Sequence, residues 1–525
     1  MPIIELDNVS FIHQITQYGY FAEFFPNCFN SDILAGKIDE IIPLLPKITK
    51  KGIKPISSPS IISIYKNDVA RRVISLPNPE TFLNVVKHMA DNWEMLVKTT
   101  ESTNSLSPIT FIHEYQDGFC EFLNSSNYRD AKRTKSDFAK SSKSRIITSL
   151  GCKYQLKLDI SNCYNSIYTH SISWAVCEKK LAKKYFRDKS PSSLKMKYEF
   201  SDRLDELTRY QKNNETNGIV VGPFTSRIVS EIVLARIDCI LREKRFLFKR
   251  YVDDYRFYFT TEAQAQESVI VIERILNEYN LNINTMKTEI TKFPYEIFSN
   301  MKVEFEKAYE NDGILGAINI ASKFYQSGES GAYKYLLKMI QDSIIDTDDF
   351  EVIISMLVNI LLLDPKYGQY ITRFLKSNLL YIDKEKLCKI LNDELSRSLS
   401  LGLQQESLCF LHMFIELNLK VDGENILSVL KSDNDFAIIL GLDLWKNRNR
   451  SVVRSSFVAK QINESIIELS NQLKGENFYG SRWLLLYEIK MHGLIDSSSM
   501  PVIDQNSFID ILKARMVSFY SCIKD

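Results

Sequence analysis

One stretch, FLFKRYVDDYRFYF (Phe246 to Phe259), limits what this chain can fold into more than any other. It sets two adjacent carboxylates, Asp253 and Asp254, inside a run of aromatics. The alternation on either side reads as two short strands around a turn. An isolated Asp-Asp pair also suits an ordinary surface turn. In a buried hairpin, however, an unpaired carboxylate is strongly disfavoured. The pair therefore asks for a positive charge, and the rest of the sequence has to supply its site.

A third carboxylate stands upstream. CKYQLKLDIS (Cys152 to Ser161) alternates in its middle like a strand, and Asp159 lies near its end. Read alone, Asp159 is equally a helix N-cap. If that strand and the hairpin are neighbours in one sheet, Asp159, Asp253 and Asp254 converge as hard oxygen donors. Mg²⁺ favours such donors and keeps positions open for phosphate oxygens. Phosphoryl chemistry with two metals needs carboxylates bridging ions about 3.5–4 Å apart, usually from more than one strand.

Between these segments SRIVSEIVLARIDCIL (Ser226 to Leu241) carries Ile228, Ile232, Ala235 and Cys239 at helical spacing, directly after Gly222 and Pro223. AQESVIVIERILNEY (Ala265 to Tyr279) is a second amphipathic helix. The order strand, helix, hairpin, helix, strand is an α+β pattern for residues 1–300. Beyond residue 300 the character changes. In DFEVIISMLVNILLLDP, Phe350, Ile353, Ile354, Leu357 and Leu361 line one helical face, which Asp364-Pro365 ends. Polar breaks follow, with Asp422 and Asp433 placed as N-caps. Residues 301–525 thus read as an all-α helical-repeat domain, an α-solenoid or an irregular one.

At 525 residues the chain exceeds one ordinary core. Nine cysteines without a C-x-x-C pair argue against structural zinc and a disulfide framework and suit a reducing cytoplasm. No apolar run is long enough to span a bilayer, and the first residues, MPIIELDNVS, lack the basic start of a secretion signal. Residues 301–525 hold 25 Lys and Arg against 30 Asp and Glu, which leaves 41 against 35, or +6, for residues 1–300. Basic residues clump at Lys47–Lys54 and Lys132–Arg145. Such runs are usually solvated faces, but they permit a polyanion on that half.

Taken together, the boxes resemble the palm of reverse transcriptases. YVDD (Tyr251 to Asp254) is similar to their Y-x-D-D catalytic box, and Asp159 with Tyr164 resembles their first palm motif. NGIVVGPFTSRIVSE (Asn217 to Glu231) resembles the glycine-containing motif and its helix, and LNINTMKTEI (Leu281 to Ile290) the motif that follows, with Lys287 in the lysine position. LDISNCYNSIYTHSISW (Leu158 to Trp174), above all YTHSI, together with SRIVSE, QYGYF (Gln17 to Phe21) and ARRVISLPNP (Ala70 to Pro79), is similar to the abortive-infection (AbiK-like) reverse transcriptases of bacterial antiphage defence. That narrower resemblance covers about residues 15–300.

The resemblance implies reverse-transcriptase-like fingers and palm over residues 1–300, then a HEAT-like helical domain over 301–525 where a conventional thumb would be. Asp159, Asp253 and Asp254 would hold two Mg²⁺ ions. Tyr164 would lie under the incoming sugar, Arg71 and Arg72 would grip the triphosphate of a dNTP, and Gly222 would allow close approach of a base or sugar. Lys287 would give a proton to departing pyrophosphate. The family commonly has Pro-Gln before the glycine matched by Gly222, whereas Val220-Val221 stand here. Loss of that amide points to untemplated DNA synthesis, primed on a protein hydroxyl and leaving the DNA covalently attached, with Tyr18 and Tyr20 as candidate primers. A ring-like homo-oligomer is also implied. Two alternatives stay open: an RNA-templated enzyme with a bound RNA, and a catalytically inactive polymerase-like scaffold.

Overall fold

The computed structural model describes residues 3–5, 7–22, 24–48, 54–67, 70–107, 109, 112–114, 141–295, 301–329, 331–342, 350–496 and 507–521. Most of the basic stretch Lys132–Arg145 and part of Lys47–Lys54 lie outside the described residues.

After helix α1 (Asn8–Tyr18), the first half presents an antiparallel hairpin, β1 (Ser60–Asn67) and β2 (Ala70–Leu76). Ile62 pairs with Ile74 in its buried face. Helix α2 (Pro79–Asp91) follows, its N-terminus capped by the Asn78 side chain with Pro79 at the first position.

Strand β3 (Tyr154–Ser161) is the centre of the main sheet. Leu156, Leu158 and Ile160 are buried, and the burial pattern runs through both faces, as expected for a strand covered on two sides. Three helices that the sequence reading passed over come next: α3 (Ser171–Cys177), α4 (Lys179–Asp188) and α5 (Lys195–Tyr210). The long helix α6 (Phe224–Glu243) starts after Pro223, where a helix start was expected.

The hairpin β4 (Leu247–Tyr251) and β5 (Asp254–Phe259) then lies beside β3, with β5 in the middle. A capping box of Thr261 and Gln264 starts α7 (Glu262–Glu278), which packs on β3 and β5. On its other edge β3 pairs with β6 (Asn282–Ile283) and β7 (Glu289–Lys292), so every pairing in this sheet is antiparallel.

From residue 301 onward helices dominate: α8 (Met301–Gln326, broken at Gly313), α9 (Ala332–Asp342), α10 (Phe350–Leu363), α11 (Gly368–Ser377), α12 (Lys384–Ser400), α13 (Gln404–Glu416), α14 (Gly423–Leu430), α15 (Asp435–Asn447), α16 (Ser456–Gln472), α17 (Trp483–His492) and α18 (Ser507–Ala514). In α10 the expected face holds, with Phe350, Ile353, Leu357 and Leu361 all buried. Asp422 stands at the N-cap of α14 without a side-chain capping bond. The cap of α15 is Asn434, not Asp433, because its side chain is the one that accepts from Ala437 N.

The two halves share one continuous buried core. The Gln404 and Gln405 side chains accept from Ser63 N and Tyr65 N, each at 2.7 Å, and so satisfy the outer edge of β1. Asn78 Nδ2 donates to Phe478 O at 2.5 Å, and Trp483 is fully buried with its indole N–H directed to Leu76 O. Phe29 and Tyr520 form a β-bridge, flanked by bonds from Asn30 N to Phe519 O and from Ser521 N to Cys28 O.

Candidate active site

The register of β3 against β5 sets Asp159 directly opposite Asp254. Val252 turns the hairpin at φ +57°, a left-handed conformation that costs energy for a β-branched residue. The turn is pinned on both sides. Ile160 N donates to Asp253 O at 3.3 Å, and Arg250 Nη1 donates to Val252 O at 2.8 Å. One oxygen from each of Asp159, Asp253 and Asp254 lies within 4.8 Å of the others. The convergence expected from the sequence is therefore present.

The three carboxylates crowd one another. Burial, a hydrogen bond with Asp159 and the charges of Asp253 and Asp159 push the Asp254 carboxyl up to about 6. Burial raises Asp253 as well, against the fields of Arg227 and Lys287. Asp159 has two neighbours from the β6 region: Asn284 Nδ2 donates to its Oδ2 at 3.0 Å, and Lys287 Nζ is 3.2 Å from the same oxygen. Lys287 is 62% exposed, so its ammonium is free to move toward a ligand. Asn284, which the sequence reading missed, also donates its backbone N–H to Asp159 O at 2.7 Å.

A second, closed ionic group lies behind the turn. Arg250 has no exposed surface and bonds both oxygens of Glu231 and both of Asp238 on α6. Tyr255 and Ser102 donate to Asp238 as well. Arg227 approaches Glu231 at 3.5 Å and donates to Ser107 O. Burial still raises the Asp238 carboxyl, with Arg250 opposing that shift. Arg250 thus serves the α6 acids and the turn backbone rather than Asp253 and Asp254. A signal was present in the sequence. Period-two alternation puts Arg250 on the buried side with Phe248, and Glu231, Ala235 and Asp238 fall on one helical stripe.

Tyr164 is half-buried, its phenol raised by burial, and its carbonyl accepts from Ile219 N at 2.9 Å. The YTHSI stretch fastens this region. Tyr168 bridges to Asn217, Thr169 N donates to Thr216 O, and His170 bonds Asp205 on α5. Gly222 has φ +143°, and a Cβ there would meet Ser75 O at 2.8 Å. The close approach it allows within this fold is to the β2 backbone. Beside it Ser75 N donates to Val221 O at 2.6 Å, and Val220 is 2% exposed. A cavity of about 310 Å³ opens here, lined by Ile61, Val73, Ser75, Asn165, Val220 and Val221 among others.

Arg71 is committed elsewhere. Its guanidinium holds both oxygens of Glu406 on α13, at 2.9 and 2.6 Å, and both oxygens of Ser63. Such bidentate pairing leaves it no face for a triphosphate. Arg72 is exposed and forms no ion pair among the described residues. Tyr20 is fully buried, and its hydroxyl donates to Pro77 O at 2.6 Å amid Phe21, Phe82 and Phe519. A hydroxyl enclosed in this way has no path to a nucleotide. Tyr18 is half-buried. The intervening Gly19 packs on Phe224, whose N–H donates to Gly19 O at 2.7 Å.

Residues 102–324 match the family model described as Reverse transcriptase (RNA-dependent DNA polymerase), a span that contains β3 to β7 and all three carboxylates. Comparison with curated proteins gives no match. Among solved structures, the chain is similar to apo telomerase from Candida tropicalis, at 12% identity and TM-score 0.31, over 88% of this chain and 75% of that one. It is also similar to telomerase from Candida albicans in complex with a TWJ fragment of telomeric RNA, at 12% identity and TM-score 0.27, over 74% and 67%. A third is Candida tropicalis telomerase truncated from its C-terminal domain, at 14% identity and TM-score 0.28, over 52% and 57%.

Proposed function

We propose, from the premise that residues 102–324 form a reverse-transcriptase domain, that this protein is a Mg²⁺-dependent DNA polymerase working without a template. On this reading it primes synthesis on one of its own hydroxyls and acts in antiphage defence of the abortive-infection kind. The observation that carries the reading is the register of Asp159 against Asp254, with Asp253 at the turn between β4 and β5.

The donor set fits the metal. Three carboxylates supply only hard oxygens, and their mutual repulsion, which adds to burial in raising Asp254, is what a divalent cation relieves. Held by Asp159, Asp253 and Asp254, two Mg²⁺ ions would activate an attacking oxygen and offset charge on a triphosphate. The chain's own residues then have distinct tasks. Asn284 orients Asp159 through a bond to its Oδ2. Lys287 Nζ carries a proton that leaves with pyrophosphate. Arg72 takes the triphosphate role, since Arg71 is bound to Glu406. Tyr164 stands under the sugar and disfavours a 2′-hydroxyl. Untemplated synthesis draws support from Val220 and Val221, which fill with apolar side chains the place of an amide that could hold a template base. Burial of Tyr20 leaves Tyr18 as the candidate primer.

Residues 301–525 are proposed as a helical-repeat domain of HEAT type. Successive helices from α12 to α17 pack on the next but one, as stacked repeats do. The exposed Leu380, Tyr381 and Leu401 offer apolar surface for a homo-oligomer contact. Among the described residues no helix is long and apolar enough to cross a membrane, and a cytoplasmic location is proposed with the rest.

The test is incubation of the protein with labelled dNTPs and Mg²⁺, without template or primer, followed by denaturing gels with and without protease. Label that travels with the protein until digestion is the expected result. Incorporation that requires added RNA and primer would replace this reading with templated synthesis, and no incorporation under either condition would leave the scaffold alternative.

A further inference from the structure

A strongly positive segment lies outside the carboxylate site described so far. Of the residues from Lys179 to Lys197, eight are Lys or Arg and one, Asp188, is acidic, a balance of +7. Residues 1–300 carry +6 in all, so the rest of that half sums to −1. The segment forms α4, a short link and the start of α5, around a small core of its own made by Cys177, Ala182, Tyr185 and Tyr198.

Its charges are poorly placed for folding alone. Lys179 and Lys180 occupy the first turn of α4, where the helix dipole disfavours cations and no acidic residue offsets them. Lys179 and Lys183, Lys180 and Lys184, and Lys183 and Arg187 are like charges four apart on one helix. Among the described residues Lys180, Lys183, Lys184, Arg187, Lys195 and Lys197 form no ion pair, and all six are exposed. A sequence that violates local preference in this way is expected to answer to something outside the chain.

Exposed apolar groups accompany the cations. Phe186 is 68% exposed and Met196 76% exposed. Lys179 Nζ lies 4.3 Å from the centre of the Trp174 ring, and Lys183 Nζ 5.6 Å from it. Lys179, Lys183 and Phe186, spaced by four and three, share one flank of α4. The unit is tied to the palm at a distance from the carboxylates. Lys179 donates to Glu278 O at the end of α7, and Glu178 pairs with Arg236, five residues or about 7.5 Å of helical rise beyond Glu231.

We infer that the α4–α5 unit is a binding face for single-stranded nucleic acid, separate from the catalytic carboxylates. Its cations meet phosphates, while the exposed Phe186 ring, with Lys189 Nζ 5.7 Å from its centre, stacks on an unpaired base. An acidic peptide would match the charge but leave the ring unused, and a duplex would present no free base face. The inference is independent of nucleotide incorporation, so it survives or fails apart from the polymerase reading.

Fluorescence anisotropy of a labelled single-stranded oligodeoxynucleotide on the full chain tests it, in Asp253→Asn background to prevent extension. The triple variant Lys180→Glu/Lys183→Glu/Arg187→Glu is expected to bind at least about tenfold more weakly at 0.1 M salt and to lower the salt slope by about 2, at about 0.7 per phosphate contact. Phe186→Ala should weaken binding several-fold without changing that slope. Because reversal turns the 179/183 and 180/184 pairs from like to opposite charge and leaves only 183/187 alike, the triple variant should melt no lower than its parent, which separates binding from folding. Unchanged affinity in the triple variant would overturn the inference. So would equal competition by polyglutamate with no effect of Phe186→Ala, which would assign the face to acidic polypeptides.

Discussion

Two acidic groups sit on opposite sides of the same β4–β5 turn, and they are treated in opposite ways. Behind the turn, Glu231 and Asp238 are fully buried, and Arg250 satisfies both. In front of it, Asp159, Asp253 and Asp254 share a space with one exposed ammonium and one amide in reach. The fold neutralises the acids that build the turn and leaves unneutralised the acids that the turn presents. Charge repulsion tolerated in front depends on rigidity behind, because only a fixed backbone keeps three carboxylates together.

The largest effect expected from breaking this contrast is on chemistry. Asp253→Asn should reduce nucleotide incorporation to background in the template-free assay while leaving the melting temperature unchanged or raised. Next in size is Arg250→Met, which leaves two buried carboxylates without their cation. It should destabilise the protein by about 3–5 kcal/mol in denaturant unfolding. Adding Glu231→Gln and Asp238→Asn to that variant should recover much of the loss, and failure to recover would mean that Arg250 acts mainly through Val252 O.

The front group should also titrate. Asp254 binds its proton more tightly in the folded protein than in the unfolded chain, so metal-free stability should rise as pH falls from about 6 toward 4. The back pair is held by a permanent cation. Mg²⁺ must displace the Asp254 proton, so the Mg²⁺ concentration for half-maximal incorporation should climb steadily below pH 6. A flat pH response would show that the front carboxylates are not coupled. The smallest effect is that of Asn284→Ala, which removes one donor to Asp159 and should lower incorporation several-fold with little change in stability.

Much of the front group was legible because it is local. Strand ends, the Asp-Asp turn and the helix after Pro223 each announce themselves within a dozen residues, and β-pairing did the rest. The fate of Arg71 was not legible, because Glu406 lies hundreds of residues away and only packing joins them. Tyr20 misled for the same reason: part of the aromatic shell that buries it is Phe519, from the far end of the helical half. The ionic group behind the turn falls between these cases. Its periodicities were readable, but acids on an apolar helix stripe read as exceptions until a buried Arg is seen to require them.

The bridge between Phe29 and Tyr520 has a consequence for synthesis on the ribosome. Cys28 to Asn30 find these backbone partners only after Phe519 to Ser521 have emerged. The earlier segment must therefore wait, incomplete, while the hundreds of residues between the two are made at about 5–20 residues per second. A product interrupted between the two segments leaves Cys28 to Asn30 without those partners, so folding itself discriminates against it.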